Sequence, residues 1–394
     1  MILPIKRRSV MKKRIIWHIL PILAVVAGLI GVLVTFRSTP TQAAPSSTTT
    51  ANTMASVSPQ LTIPGGNEIQ GLDLHDGTIV EDNGTYYLYG TEYACGYKWG
   101  DATTHWCGFG VASATSLTGP WSGITTLLHP SDIDPWSGRT WDAQCIRGNG
   151  GGCFNPRVVH NPTTGKWLLW FNAVGDNSYD HANAYNVYEM ASPVGPLGAY
   201  NKPRSYTCAG CNGDFSIFAD GANAYLVGTG SNRMEYVEQL DSDWKNGTGN
   251  VSGHGSAALF SDAEGPGIYR DPNTGLYIMT VSHPECGYCT GVRTIYATSS
   301  SPIGPWTAPQ GAEASPHGGS INGPDGARSE VSGNTCGGQP RTVTVLDGQA
   351  YQFIDLWLGQ QNETHANVLL EPLNFRNRPN VYGQPWSAFD PWDC

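Results

Sequence analysis

The chain has 394 residues, a formal net charge of −10 and only 14% charged residues, beside 49 Gly and 27 Pro. The acidic balance argues against a phosphate-backbone partner, so nucleic acid is not expected. So many turn formers, with no long stretch of period 3.6, exclude a helical enzyme and predict an all-β protein.

The first 44 residues read as export machinery. Lys6, Arg7, Arg8, Lys12, Lys13 and Arg14 precede an apolar run from Ile15 to Phe36, and the small residues Ala43 and Ala44 follow. The pattern fits a cleaved signal peptide, or a retained anchor that would hold the protein at the membrane. Residues 45–60, rich in Ser, Thr and Ala, read as a tether. A secreted or extracellular monomer is expected, with residues 61–394 forming the folded domain.

Five segments of that domain share one grammar: a polar start, a turn containing Gly, then an aromatic or β-branched strand. They run from Asp76 to Tyr89, Asn155 to Phe171, Asp214 to Val227, Glu264 to Met279, and Arg341 to Ile354. Gly supplies the positive φ of the turn and the flanking runs supply a hairpin. A second repeat recurs at Ser116–Trp121, Ser192–Leu197 and Ser301–Trp306, and reads as an outer-strand corner. Five hairpin units predict a five-bladed β-propeller. Long inserts at 122–152 and 309–338 are candidate walls of a binding site.

All ten cysteines follow the export segment. Sequence neighbours pair most simply as Cys95–Cys107, Cys145–Cys153, Cys208–Cys211, Cys286–Cys289 and Cys336–Cys394. The two C-x-x-C pairs could instead hold one zinc ion.

In a propeller the innermost strand of each blade lines the central channel, so residues opening the units converge there. Three of these openers are acidic: Asp76, Asp214 and Glu264. Hydrolysis of a glycosidic bond uses two carboxyl groups, one protonated and one ionised, on opposite sides of the sugar. A third carboxylate raises the acid's pKa by like-charge repulsion. The bland alternative is that each acid caps a turn or meets a basic side chain.

These segments resemble glycoside hydrolase family 43, a five-bladed group of arabinanases, arabinofuranosidases and xylosidases. His75-Asp76-Gly77-Thr78-Ile79 with Gly84–Thr91 looks like the motif carrying the general base. Asp214, with Phe218, Asp220 and Tyr225, looks like the segment that tunes the acid, and Glu264-Gly265-Pro266 looks like the general-acid motif. Gln339-Pro340-Arg341-Thr342, Asp355-Leu356-Trp357 and Leu370–Phe375 are similar to the branch containing exo-β-1,3-galactanases. That branch's glutamate beside the second unit is replaced here by Phe154-Asn155-Pro156-Arg157. The branch also usually lacks the aspartate base that Asp76 supplies here, so Gln339 is expected to contact substrate. The resemblance implies an inverting hydrolase with Asp76 as base, Glu264 as acid and Asp214 as modulator. Its substrate would be an arabinofuranoside, xyloside or β-1,3-galactan. A carbohydrate-binding propeller without turnover is the alternative. Asn155, Arg157, Gln339, Arg341, His75, Tyr93 and Trp357 are candidate substrate contacts, with Glu92 and His283 as further ones. His75 could equally be a satisfied core histidine. No dedicated metal set and no cofactor is expected, although some relatives carry a cation in the channel.

Overall fold

In a computed structural model the chain divides into two compact units, residues 1–59 and 60–394. The structure describes residues 67–389 except 102, 146–151, 175–183, 191–194, 198, 207–210, 231–234, 253–262, 284–292, 307–328, 333–334, 358 and 380–384. The export segment and the tether expected at the N-terminus lie outside the described residues. So do Cys208, Cys286, Cys289 and Cys394, and with them three of the expected pairings.

A short strand β1 (Asn67–Ile69) is followed by four groups of four. The first is β2 (His75–Asp82), β3 (Thr85–Thr91), β4 (Phe109–Ala114) and β5 (Thr125–Leu128). After a four-residue helix α1 (Trp141–Gln144) comes the second: β6 (Gly152–Asn161), β7 (Lys166–Val174), β8 (Ala184–Met190) and β9 (Tyr200–Tyr206). The third is β10 (Cys211–Asp220), β11 (Asn223–Gly230), β12 (Glu235–Leu240) and β13 (Gly247–Ser252). The fourth is β14 (Glu264–Arg270), β15 (Tyr277–His283), β16 (Arg293–Ser299) and β17 (Ser329–Ser332). A fifth sheet joins β18 (Gln339–Leu346), β19 (Gln349–Asp355) and β20 (Val368–Pro372) to β1 at its edge. A last hairpin pairs β21 (Phe375–Pro379) with β22 (Pro385–Phe389).

Each four-stranded sheet is an antiparallel meander. The inner strands β2, β6, β10, β14 and β18 pack on one another in sequence, and β18 returns to β2. The protein is therefore a five-bladed β-propeller, all-β as the composition predicts. Sequence reading did not foresee the closure. β1 adds to β20 through Asn67–Leu370 and Ile69–Val368, so the N-terminal strand completes the last blade. This fastens the two ends of the ring together within one sheet.

The hairpins form where the Gly-bearing turns predict them. Asn83 and Gly84 both have positive φ (53° and 77°), and so do Asp347 and Gly348 (50° and 78°). This is the two-residue geometry whose twist matches paired strands. Blades two and four use a longer turn. The Asn161 side chain accepts from the amides of Thr163 and Thr164, and Asp271 accepts from Thr274. The corners Ser116–Trp121 and Ser301–Trp306 each contain a cis Gly–Pro bond. Part of the corner at Ser192–Leu197 lies outside the described residues.

Between blades the core is aromatic. Trp106, Phe109, Trp141, Phe171 and Tyr188 interlock edge to face or stacked between the first two blades, all nearly fully buried. Such pairs add to the area they bury. Chain direction sorts the loops. Connections leaving second and fourth strands open on the face where inner strands begin. The disulfides Cys95–Cys107 and Cys145–Cys153, both as expected, lie on that face. Cys336 is also disulfide-bonded.

Candidate active site

The inner strands are irregular at their first residues, all at one height. Pairing slips between His75 and Thr78 in β2, between Phe154 and Arg157 in β6, and between Cys211 and Phe215 in β10. It slips again between Glu264 and Gly267 in β14, and between Pro340 and Thr342 in β18. Bulges bend a strand and re-aim its side chains. Here they carry Asp76, Asn155, Asp214, Gly265 and Arg341. Asp76 and Asn155 adopt φ of 48° and 55°, uncommon for residues with a Cβ, while Gly265 adopts 60°. At Gly265 a Cβ would lie 2.2 Å from the Pro340 carbonyl oxygen, so the acid-bearing strand meets β18 closely only through glycine.

Three of the five bulges are braced from the second strand of their own hairpin, and a fourth contact crosses between blades. The Thr91 hydroxyl donates to Asp76 Oδ1 at 2.7 Å, and Asn155 Nδ2 donates to Asn172 Oδ1 at 3.0 Å. The Ser282 hydroxyl donates to the Glu264 carbonyl at 2.9 Å, and Asp355 Oδ2 accepts from the Asp76 amide across the ring closure.

β18 bonds two of the three predicted acids. Gln339 Nε2 donates to Glu264 Oε2 at 3.2 Å. Two residues on, Arg341 donates to Asp214 Oδ2 at 3.3 Å and lies 4.0 Å from Asp355 and 3.8 Å from Glu363. Burial pulls the Arg341 guanidinium down, but Asp214, Glu363, Asp355 and Asp76 outweigh it and raise its pKa. Asp214 also accepts from Asn155 Nδ2 at 3.1 Å.

Asp76 is 2% exposed. Burial, opposed by Arg341 and Thr91, pushes its carboxyl up to about 7. It is thus poised to change charge near neutrality, as a general base should be.

Several predicted substrate contacts have other work. Arg157 is fully buried, and all its donors are consumed by protein. Nε donates to the Phe215 carbonyl at 2.9 Å, and Nη1 to the carbonyls of Asp76 and Gly77. Nη2 donates to Asn155 Oδ1 at 3.0 Å and the Arg341 carbonyl at 3.5 Å. It clamps blades one, three and five to its own, with each of its N–H groups bonded within the protein. Burial lowers its pKa to about 10 even with Asp76 and Asp214 nearby.

His75 is likewise walled in. Its ring is 0% exposed and bonds Asp355 through Nδ1 (3.3 Å) and Asp73 through Nε2 (3.2 Å). Burial lowers its pKa, and the two carboxylates more than reverse that, to about 10. Asp355 moves the other way, lowered by His75, Arg341 and the Asp76 amide against its burial. His75 is therefore an imidazolium between two carboxylates, the core alternative of the two expected. Tyr93, 1% exposed, packs edge-on against it at 5.5 Å. Trp357 is also buried. Glu92 turns toward Thr126 in blade one, where burial raises its pKa. The His283 side chain lies outside the described residues. Gln339 and Arg341 remain beside the acids.

His75, Asp355 and Glu363 bring ligand atoms within 4.8 Å of one another. They fit a metal poorly, because both His75 nitrogens already carry bonds to carboxylates. Burial and the Asp355 charge raise the Glu363 pKa well above its usual value, which favours its neutral form. Asp73, Asp355 and Glu363 went unnoticed as site residues because none opens a strand. A cavity of about 310 Å³ lies between blades four and five at their hairpin turns, lined by residues near Asp271, Gly348 and Leu373, and contains none of the acids.

No family model and no curated protein matches the sequence. Solved structures do match the fold. An exo-β-1,3-galactanase from Phanerochaete chrysosporium with β-1,3-galactotriose superposes with a TM-score of 0.55 at 18% identity, over 80% of this chain and 65% of that one. A family 43 β-1,3-galactosidase with galactodeoxynojirimycin gives 0.56 at 18% identity, over 83% and 98%. An exo-β-1,3-galactanase from Clostridium thermocellum gives 0.53 at 18% identity, over 77% and 60%. This chain thus spans just under two thirds of the length of the first of these and less of the last. At such identities the likeness establishes the shared propeller.

Proposed function

We propose that the protein is an inverting glycoside hydrolase of the family 43 kind, acting on a β-1,3-linked galactan. One observation carries the reading: Gln339 and Arg341, on a single strand, engage Glu264 and Asp214, and Arg341 lies in the field of Asp76. Three acids from three blades thereby share one pole of the channel. The galactan preference draws on the Gln339-Pro340-Arg341 motif and on galactanases sharing the fold. The disulfides accord with an oxidising compartment.

In this mechanism Glu264 protonates the departing glycosidic oxygen. Asp76 takes a proton from the water that attacks the anomeric carbon. Asp214, held by Asn155 and Arg341, keeps a negative charge near Glu264 and favours its protonated form. Arg341 prevents the acids from repelling one another apart. Purified protein incubated with β-1,3-galactan, arabinan, arabinoxylan and arabinogalactan should release galactose from the galactan. Release of no sugar from any of them contradicts the reading. The near-complete burial of Asp76 favours the alternative of a propeller that binds sugar without turnover. Under that alternative, affinity persists and no product forms.

The base must be ionised to work. A folded pKa of about 7 for Asp76 therefore makes kcat/KM rise with pH and level off above about 7. An ordinary carboxylate would give a limb about three units lower. Asp76→Asn should remove that limb along with most activity. A profile already flat at pH 5 would exclude Asp76 as the base.

A further inference from the structure

The mechanism above leaves His75 unused. Its buried ring stands one residue before the base, at the start of the same bulge. Nδ1 lies 3.3 Å from Asp355 Oδ1, and Nε2 lies 3.2 Å from Asp73 Oδ1. An ionised carboxylate only accepts, so both ring nitrogens carry hydrogen and the ring is a cation. Asp355 gives its other oxygen, Oδ2, to the Asp76 amide. One carboxylate at the end of β19 in blade five therefore grips two successive residues of β2 in blade one. It holds the ring of the first and the backbone of the second. Asp73 is fixed in turn from outside. It accepts from the amides of Tyr93 at 2.9 Å and Ala94 at 2.7 Å, at the foot of the loop closed by Cys95–Cys107. An unbroken chain of contacts runs from that loop through Asp73, His75 and Asp355 to the backbone of the base.

The base needs that support. Asp76 holds a φ of 48°, a strained conformation for a residue with a Cβ, which persists only where its surroundings enforce it. Thr91 bonds its carboxyl group, Arg157 its carbonyl and Asp355 its amide. An N–H bonds a carboxylate more strongly than a neutral acceptor, so the amide contact is strong only while Asp355 is ionised. A fully buried carboxylate stays ionised beside cations. Arg341 Nε stands 4.0 Å away, on a guanidinium that also serves Asp214 and Glu363. His75 is the cation bonded to Asp355 directly. Without it, Asp355 would take up a proton or turn toward Arg341. Either change slackens the hold on the Asp76 amide.

We propose that His75 is a positioning residue for Asp76: through Asp355 it holds the bulge that aims the base at the attacking water. The inference rests on the hydrolase reading above. His75 is sealed in the protein and touches no sugar, so its effect falls on kcat rather than on KM.

The test compares His75→Leu, His75→Asn and Asp355→Asn with the wild type. Leu fills much of the space and donates nothing, whereas Asn places an N–H near the position of Nδ1. Leu should lower kcat on galactan about 10- to 100-fold with KM little changed, and Asn should restore much of the rate. Asp355→Asn keeps an oxygen for the Asp76 amide but loses the charge. Burial foremost, and the Asp355 charge after it, raise the Asp76 pKa against Arg341 and Arg157. The acidic limb of kcat/KM should therefore move to lower pH in Asp355→Asn. Wild-type kcat in His75→Leu, or equal losses in Leu and Asn with the limb of Asp355→Asn unmoved, would overturn the proposal. A wild type without hydrolytic activity would count against the hydrolase reading instead. Amide hydrogen exchange then decides the positioning role without turnover. The Asp76 amide should exchange about 10-fold faster or more in His75→Leu, while the rest of the β2–β3 hairpin keeps its wild-type rates. If His75→Leu does not fold, Asp355→Asn carries the same comparison, because its neutral oxygen is the weaker acceptor. Uniform acceleration along the hairpin, or none at Asp76, would reduce His75 to a stabiliser of the fold, and the proposal would fail.

Discussion

Glu264→Gln should lower kcat on galactan by roughly 10²–10⁴-fold while leaving the fold and sugar affinity intact. The substitution is nearly isosteric. It retains a hydrogen-bonding partner for Gln339 Nε2, which now bonds Glu264 Oε2. What it removes is the transferable proton. The loss should therefore shrink with an aryl leaving group, which departs as a stable anion. If hydrolysis proceeds undiminished, Glu264 is not the acid. A loss that is the same for both leaving groups would assign it to binding.

Arg157→Met should destabilise the propeller by about 3–5 kcal/mol, read as a lower denaturant midpoint with an unchanged slope. The side chain fills its volume but abandons carbonyls from three other blades, those of Asp76, Gly77, Phe215 and Arg341. Each buried acceptor left unpaired costs about 1–3 kcal/mol. Arg157→Lys should rescue little, because a point ammonium cannot span acceptors arranged around a planar fork. Wild-type stability with weakened sugar binding would return Arg157 to the role of substrate contact.

Much of the fold was legible because its signals are local. Asn83-Gly84 and Asp347-Gly348 announce hairpins without reference to anything distant, and five such units suffice to count the blades. The partner of β1 was not legible, since three residues of modest hydrophobicity at 67–69 pair some 300 positions away. The acids were singled out because they open strands. Their braces were missed because they close them: Thr91, Asn172, Ser282 and Asp355 each stand opposite or beside an opener on the returning strand. Reading each hairpin in both directions would have found them. Arg157 poses another kind of question. Its position beside Asn155 in an opening motif is the same for a ligand contact as for a clamp. Only the number of acceptors around it distinguishes the two, and those acceptors are backbone atoms that no side-chain pattern encodes. His75 is similar: one of its two carboxylates, Asp355, lies 280 residues on.

The central claim is that Glu264 and Asp76 work from opposite sides of the scissile bond, with water between. Proton NMR of the first sugar released from β-1,3-galactan tests it most directly. The account predicts that α-galactose appears first and then mutarotates. First appearance of β-galactose would mean retention, with the second carboxylate attacking carbon, and would contradict it.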